Sequence, residues 1–211
     1  SFVGLGVAGT GLLFFIQEGN YITASLFFII ANIGFSGGNI FYDSFLPILA
    51  ADDKMDYISG VGYSVGYFGG GVLLAINLVM ISKPSLFGMN ELFATKLSFV
   101  MVAIWWFIFS LPAFYYLPKG IKKGPDLVGL AYIKNGFKQL GRTFKNISQY
   151  RELLKFLVAF WIYNDGIGTI IRMATIYGRE IGIARTDLIG AMLMTQFIGI
   201  PCAFLFGKLG E

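Results

Sequence analysis

The 211-residue sequence contains no histidine and a single cysteine. The first absence removes a histidine general base, a Ser-His-Asp triad and any imidazole metal site; the second removes an internal disulfide and a thiolate cluster. Cys202 sits in an apolar run, the setting of an inert packing residue. Charge is scarce too, at 13% of residues where a soluble domain carries about 25%. With 56% of residues hydrophobic, too little charge remains to cover a water-facing surface. The chain reads as an all-α membrane protein. It begins with serine and shows no basic-then-apolar leader before a cleavage site, so it is expected to be a fragment of a longer protein.

Charge-poor apolar windows divide the sequence: Phe2 to Ile16, Ile22 to Tyr42, Ile58 to Ser82, Leu97 to Leu117, Phe156 to Tyr177 and Leu188 to Gly207. About 20 apolar residues cross a bilayer core as a helix, and all but the first window reach that length. Helices are expected because they satisfy their own backbone in lipid, and the alternating polarity of barrel strands is missing. The reading is therefore six transmembrane helices.

Most connections are short. The exception, residues 118–155, holds nine basic residues (Lys119, Lys122, Lys123, Lys134, Lys138, Arg142, Lys145, Arg151 and Lys155) against Asp126 and Glu152. The formal charge of +4 thus splits into a strongly basic loop and a slightly acidic remainder. The positive-inside rule makes this loop cytoplasmic. Alternation then leaves four basic residues in the outer connections and eleven in the inner ones. Within the loop Ile133, Phe137, Leu140, Phe144 and Ile147 recur at steps of four and three between basic residues. That pattern predicts an amphipathic helix suited to an anionic cytoplasmic leaflet, with a solvated linker helix as the alternative. A membrane linker accounts for the basic charge, so no nucleic-acid surface is expected.

A charged group inside a span costs about 2.5–3.5 kcal/mol at the helix centre on insertion scales, which makes each one a functional candidate. In the second window Asn32, Ser36, Asn39 and Asp43 fall at steps of four, three and four, on one helical stripe. In the fifth, Asn164 and Asp165 lie near the expected midplane, and Arg172 follows Asp165 on the same face about 10 Å further along the axis. Asn164, Asp165, Arg172, Asn32, Ser36 and Asn39 are read as substrate or cavity residues, with static interhelical pairing as the alternative. Asp43, near the inner end of its helix, is read as a gating or structural contact, and Asp165 as a candidate proton site.

Gly62, Gly66 and Gly70 repeat every four residues in the third window and predict a close helix-packing seam. Gly190, Gly199 and Pro201 give the sixth a looser version of the same character. Asp52, Asp53 and Asp56 spell the DDxxD arrangement with which membrane prenyltransferases hold magnesium diphosphate, but no second acidic cluster accompanies it. Asp56 is instead placed to cap the helix that follows. Neither a metal nor a cofactor is expected, and the chain is not read as an enzyme.

Three stretches, NIGFSGGNIFYDSFLP (Asn32 to Pro47), SGVGYSVGYFGGG (Ser59 to Gly71) and YNDGIGTIIRMATIYG (Tyr163 to Gly178), resemble the vacuole amino-acid effluxer branch of the major facilitator superfamily. The resemblance implies helices three to eight of a twelve-helix secondary transporter. Residues 1–117 would end the N-terminal half, 118–155 form the central loop and 156–211 open the C-terminal half. It implies that helices four and seven line a cavity, that five and eight pack across the seam between halves, and that three and six face lipid. It also implies a small solute, with amino acids the first guess, moved by a monomer. The setting would be a bacterial inner membrane, or a vacuolar membrane if the source is eukaryotic. Helix four lacks the arginine that many proton-coupled exporters carry. A non-transporting receptor or scaffold bundle is the main rival, and a prenyltransferase-like enzyme a remote one.

Overall fold

The computed structural model describes residues 1–117, 130–147 and 149–210. Lys119, Lys122, Lys123, Asp126 and Glu211 lie outside the described residues, as do the side chains of Ile133 and Phe144. Among the described residues eight α-helices follow in order: α1 Phe2–Leu12, α2 Tyr21–Asp43, α3 Leu46–Leu49, α4 Met55–Ser82, α5 Glu91–Tyr116, α6 Leu130–Ile147, α7 Arg151–Glu180 and α8 Arg185–Leu209. No strand occurs among the described residues.

Among the described residues five segments are long and apolar enough to cross a membrane: Tyr21–Leu49, Asp52–Ser82, Glu91–Tyr116, Arg151–Glu180 and Arg185–Leu209. The first window forms the shorter apolar helix Phe2–Phe15. The chain is a multi-pass integral membrane protein.

Local chemistry sets several helix ends. Asn90 caps α5 by accepting from the Phe93 N–H at 2.7 Å, and Glu91 in the first turn complements the dipole. The α7 terminus is a Schellman motif. Gly182, at φ +90°, donates its N–H to the Arg179 carbonyl, and Ile183 donates to Gly178. One expectation needs correction. Asp56 lies inside the first turn of α4, where Lys54 occupies the cap position and no side chain caps the helix. The carboxylate meets the helix dipole but closes no capping hydrogen bond.

The helices group into two compact units, Ser1–Leu117 with Arg185–Glu211, and Pro118–Ala184. In the first unit α1 packs on α2 and α5, while α4 packs on α8 and, less extensively, on α5. The second contains α6 and α7, which touch each other. Much of what is buried is small: Ala31, Ala50, Ala94 and Ala103 are in the core beside the larger Leu73 and Met80, whereas Phe107, Phe109, Trp161 and Ile170 are exposed. Lipid is as apolar as leucine, so helix association depends on close backbone approach rather than on hiding large side chains. On α1 and α2 a Cβ at Gly9 would lie 2.8 Å from the Ala31 backbone nitrogen, and one at Gly34 would collide with the Gly6 backbone.

Candidate functional site

Asn32, Ser36, Asn39 and Asp43 are all exposed on α2. At 100° per residue they occupy an arc of about 60°, roughly 140° around the helix from Ala31 and Gly34, which press on α1. The polar stripe therefore points away from the α1 contact. Asn32 returns one amide hydrogen to its own helix, donating to the Phe28 carbonyl at 2.8 Å, which leaves its remaining polar capacity open.

Asn164 and Asp165 sit at the middle of the 30-residue α7, with about 20 Å of helix to either end. Arg172 lies two turns closer to the C-terminal end of the helix. All three are exposed, and among the described residues none of their side chains makes a hydrogen bond or ion pair. Glu152 and Lys155 pair at 2.7 Å near the N-terminal end of α7. A carboxylate and a guanidinium within a helix long and apolar enough to span a membrane require water, a polar partner or a ligand. These residues and those of α2 belong to different units.

The tight seam on α4 runs elsewhere than its glycine repeat predicts. A Cβ on Gly60 would lie 2.7 Å from the Gly207 Cα and 2.8 Å from the Ala203 carbonyl oxygen. One on Gly207 would lie 2.9 Å from the Gly60 Cα. Ser64, one turn on, donates to the Ile200 carbonyl at 3.0 Å and to Gly60 at 2.8 Å, and Gly71 abuts Gln196 and Phe197 of α8. By contrast, Gly66 meets nothing within 4 Å, and Gly62 and Gly70 reach only the Tyr42 hydroxyl at 3.9 Å and the Gln196 carboxamide at 3.8 Å. Gly60, Ser64 and Gly71 follow steps of four and seven and share one face; Gly62, Gly66 and Gly70 lie more than a quarter-turn away from it. On α8 the close contacts are Gly207, and Gly199 under the Tyr67 ring at 3.0 Å, while Gly190 is open.

Two further polar residues carry no pattern in the sequence. Gln196 is half-buried in the middle of α8 beside Gly70 and Gly71. Asn77 on α4 is buried with its Oδ1 unpaired. Each is a lone amide in an apolar run, without the stripe that drew attention to α2. A third feature, the pairing of Arg185 with Glu91 at 3.2 Å and Thr95 at 3.4 Å, ties the N-terminal ends of α8 and α5 and joins residues about ninety positions apart.

The acidic triplet is not drawn together. Asp52 and Asp53 lie in the turn before α4, and no group of three potential ligands occurs among the described residues. Asp56 borders an open groove of about 400 Å³ whose other walls, including Ser59, Tyr63, Tyr67 and Phe206, bring no second carboxylate.

The family model described as vacuole effluxer Atg22 like matches residues 1–57 and 52–211. An uncharacterized MFS-type transporter, YxiO of Bacillus subtilis, is 37% identical over 214 residues, covering all of this chain and 49% of that protein. Autophagy-related protein 22 of Yarrowia lipolytica is 24% identical over 284 residues, covering 97% of this chain and 48% of its own length. That of Pichia angusta is 26% identical over 246 residues, covering 94% and 43%. The chain spans about half the length of these relatives. No solved structure matches it.

Proposed function

The chain belongs to the vacuole effluxer Atg22-like family, and from that premise we propose that it is part of a secondary transporter that moves a small solute across a membrane by alternating access. In this reading α1, α2, α4 and α5 are helices three to six of a twelve-helix protein, residues 118–155 are its central cytoplasmic loop, and α7 and α8 are helices seven and eight. The two halves rock about a midplane site. The packing of α4 on α8 supports the assignment, because those helices would meet across the seam between halves. The transporter acts as a monomer.

The observation that carries the reading is α7. An otherwise apolar span places Asn164 and Asp165 at its midpoint and Arg172 two turns beyond, all exposed and without side-chain partners among the described residues. Asn32, Ser36 and Asn39 supply amides and a hydroxyl on helix four; Asp43 gates or braces its inner end. The substrate class we favour is amino acids. Asp165 and Arg172 share a helical face, and side chains lean toward the helix N-terminus, so the Arg172 guanidinium reaches back toward the Asp165 carboxylate. A small zwitterion offers an ammonium to one and a carboxylate to the other, each a charge-assisted contact.

The test is uptake and efflux of labelled amino acids by the full-length protein in vesicles. Asp165→Asn and Arg172→Ala are expected to abolish movement while leaving protein levels unchanged. Wild-type rates in both variants refute the site. Failure of the unmodified protein to move any small solute refutes transport and favours a bundle whose polar groups only hold helices together.

A further inference from the structure

We propose that α6 lies in the plane of the cytoplasmic membrane surface and binds anionic phospholipid, making the linker sensitive to the lipid composition of the inner leaflet. This goes beyond the transport reading and does not rest on it. The helix is unbroken over 18 residues, Leu130–Ile147, and contains no acidic side chain. Lys134, Lys138, Arg142 and Lys145 fall within an arc of about 80°, while Phe137, Leu140 and Ile147 occupy a separate arc roughly 135° away. Phe137 is 73% exposed and Leu140 57%. An apolar stripe open to its surroundings beside a basic one is the surface an anionic bilayer complements, with methylene stems reaching past the apolar edge to the headgroups.

Connectivity selects the membrane over a soluble acidic partner. Three residues separate Ile147 from Arg151, where the spanning helix α7 starts. Even fully extended, that link keeps the end of α6 within about 14 Å of α7. Tyr150, exposed in the link, is of the type that settles at the headgroup level. The helix is thus held beside the leaflet at a high effective concentration, so modest apolar and electrostatic attraction suffices to lay it down.

The experiment uses the full-length protein, with Cys202→Ser and Phe137→Cys carrying a fluorophore, in vesicles of phosphatidylcholine alone or mixed with phosphatidylglycerol. Quenching by a nitroxide on the lipid chains is expected to be several-fold stronger in the mixed vesicles. It should fall back when salt rises from about 0.05 M to about 0.5 M, because screening shortens the reach of the headgroup charge. K134Q/K138Q/R142Q should remove the dependence on phosphatidylglycerol, and the salt series gives the same answer on unsubstituted basic residues. A label at Asn135→Cys, on the polar side, should remain open to aqueous iodide. Equal lipid quenching in both vesicles overturns the proposal. So does a label at 137 that iodide reaches in mixed vesicles, or one shielded from both quenchers, which would place another protein segment over the stripe.

Discussion

Adding one methyl group at two glycines of α4 separates the observed helix contact from the one its glycine repeat suggests. At Gly60 the new Cβ lies 2.7 Å from the Gly207 Cα and 2.8 Å from the Ala203 oxygen. That is roughly 0.8 Å inside the ~3.5 Å at which carbon atoms ordinarily meet. Both neighbours are backbone, so α4 and α8 must part along their length instead of turning a side chain aside. Overpacking of this kind costs about 1–3 kcal/mol, offset by about 0.5–1 kcal/mol from replacing glycine in a helix interior. Gly60→Ala is therefore expected to destabilise the chain by about 1–2 kcal/mol. Gly66→Ala meets nothing within 4 Å and retains only the gain, leaving it neutral or more stable by up to about 1 kcal/mol. Equilibrium unfolding in mixed micelles, titrated with a denaturing detergent, measures both. Gly207→Ala should repeat the Gly60→Ala loss, and the double variant should cost less than the two losses added, because one separation relieves both clashes. A Gly66→Ala loss as large as that of Gly60→Ala would refute the reasoning.

Ser64→Ala removes the α4 hydroxyl that reaches the Ile200 carbonyl and should lower stability in the same titration by about 0.6 kcal/mol, the usual size of an interhelical hydrogen bond in a membrane. Glu91→Gln breaks the pair with Arg185, whose side chains are 66% and 38% exposed; its unfolding midpoint should barely move, since such pairs contribute at most about 1 kcal/mol. Gly182→Ala forces a Cβ into the left-handed conformation that closes α7 and should cost about 1 kcal/mol or more, visible as earlier loss of helical circular dichroism on heating.

What the sequence reveals is periodicity and the rarity of charge. The windows, the amphipathic linker helix and the polar stripe of α2 are repeating patterns, so each is visible without coordinates. Asp165 and Arg172 stand out because almost nothing charged surrounds them. Contacts between distant segments leave no such trace. Gly60 and Gly207 meet because two helices cross there, whereas the more regular Gly62, Gly66 and Gly70 repeat lies on another face of α4. Gln196 and Asn77 are single amides in apolar runs, and the Arg185–Glu91 pair joins ends that only folding brings together.

The central claim is that Asp165 lies in an aqueous pathway opened alternately to the two sides of the membrane. Its most direct test is the reactivity of Asp165→Cys, in the full-length protein with Cys202→Ser, toward a membrane-impermeant thiol reagent applied to right-side-out and inverted vesicles. The account predicts labelling from either side, while Phe109→Cys on the apolar α5 stays unreactive. A residue 165 thiol inert from both sides, in protein that still folds, would contradict it.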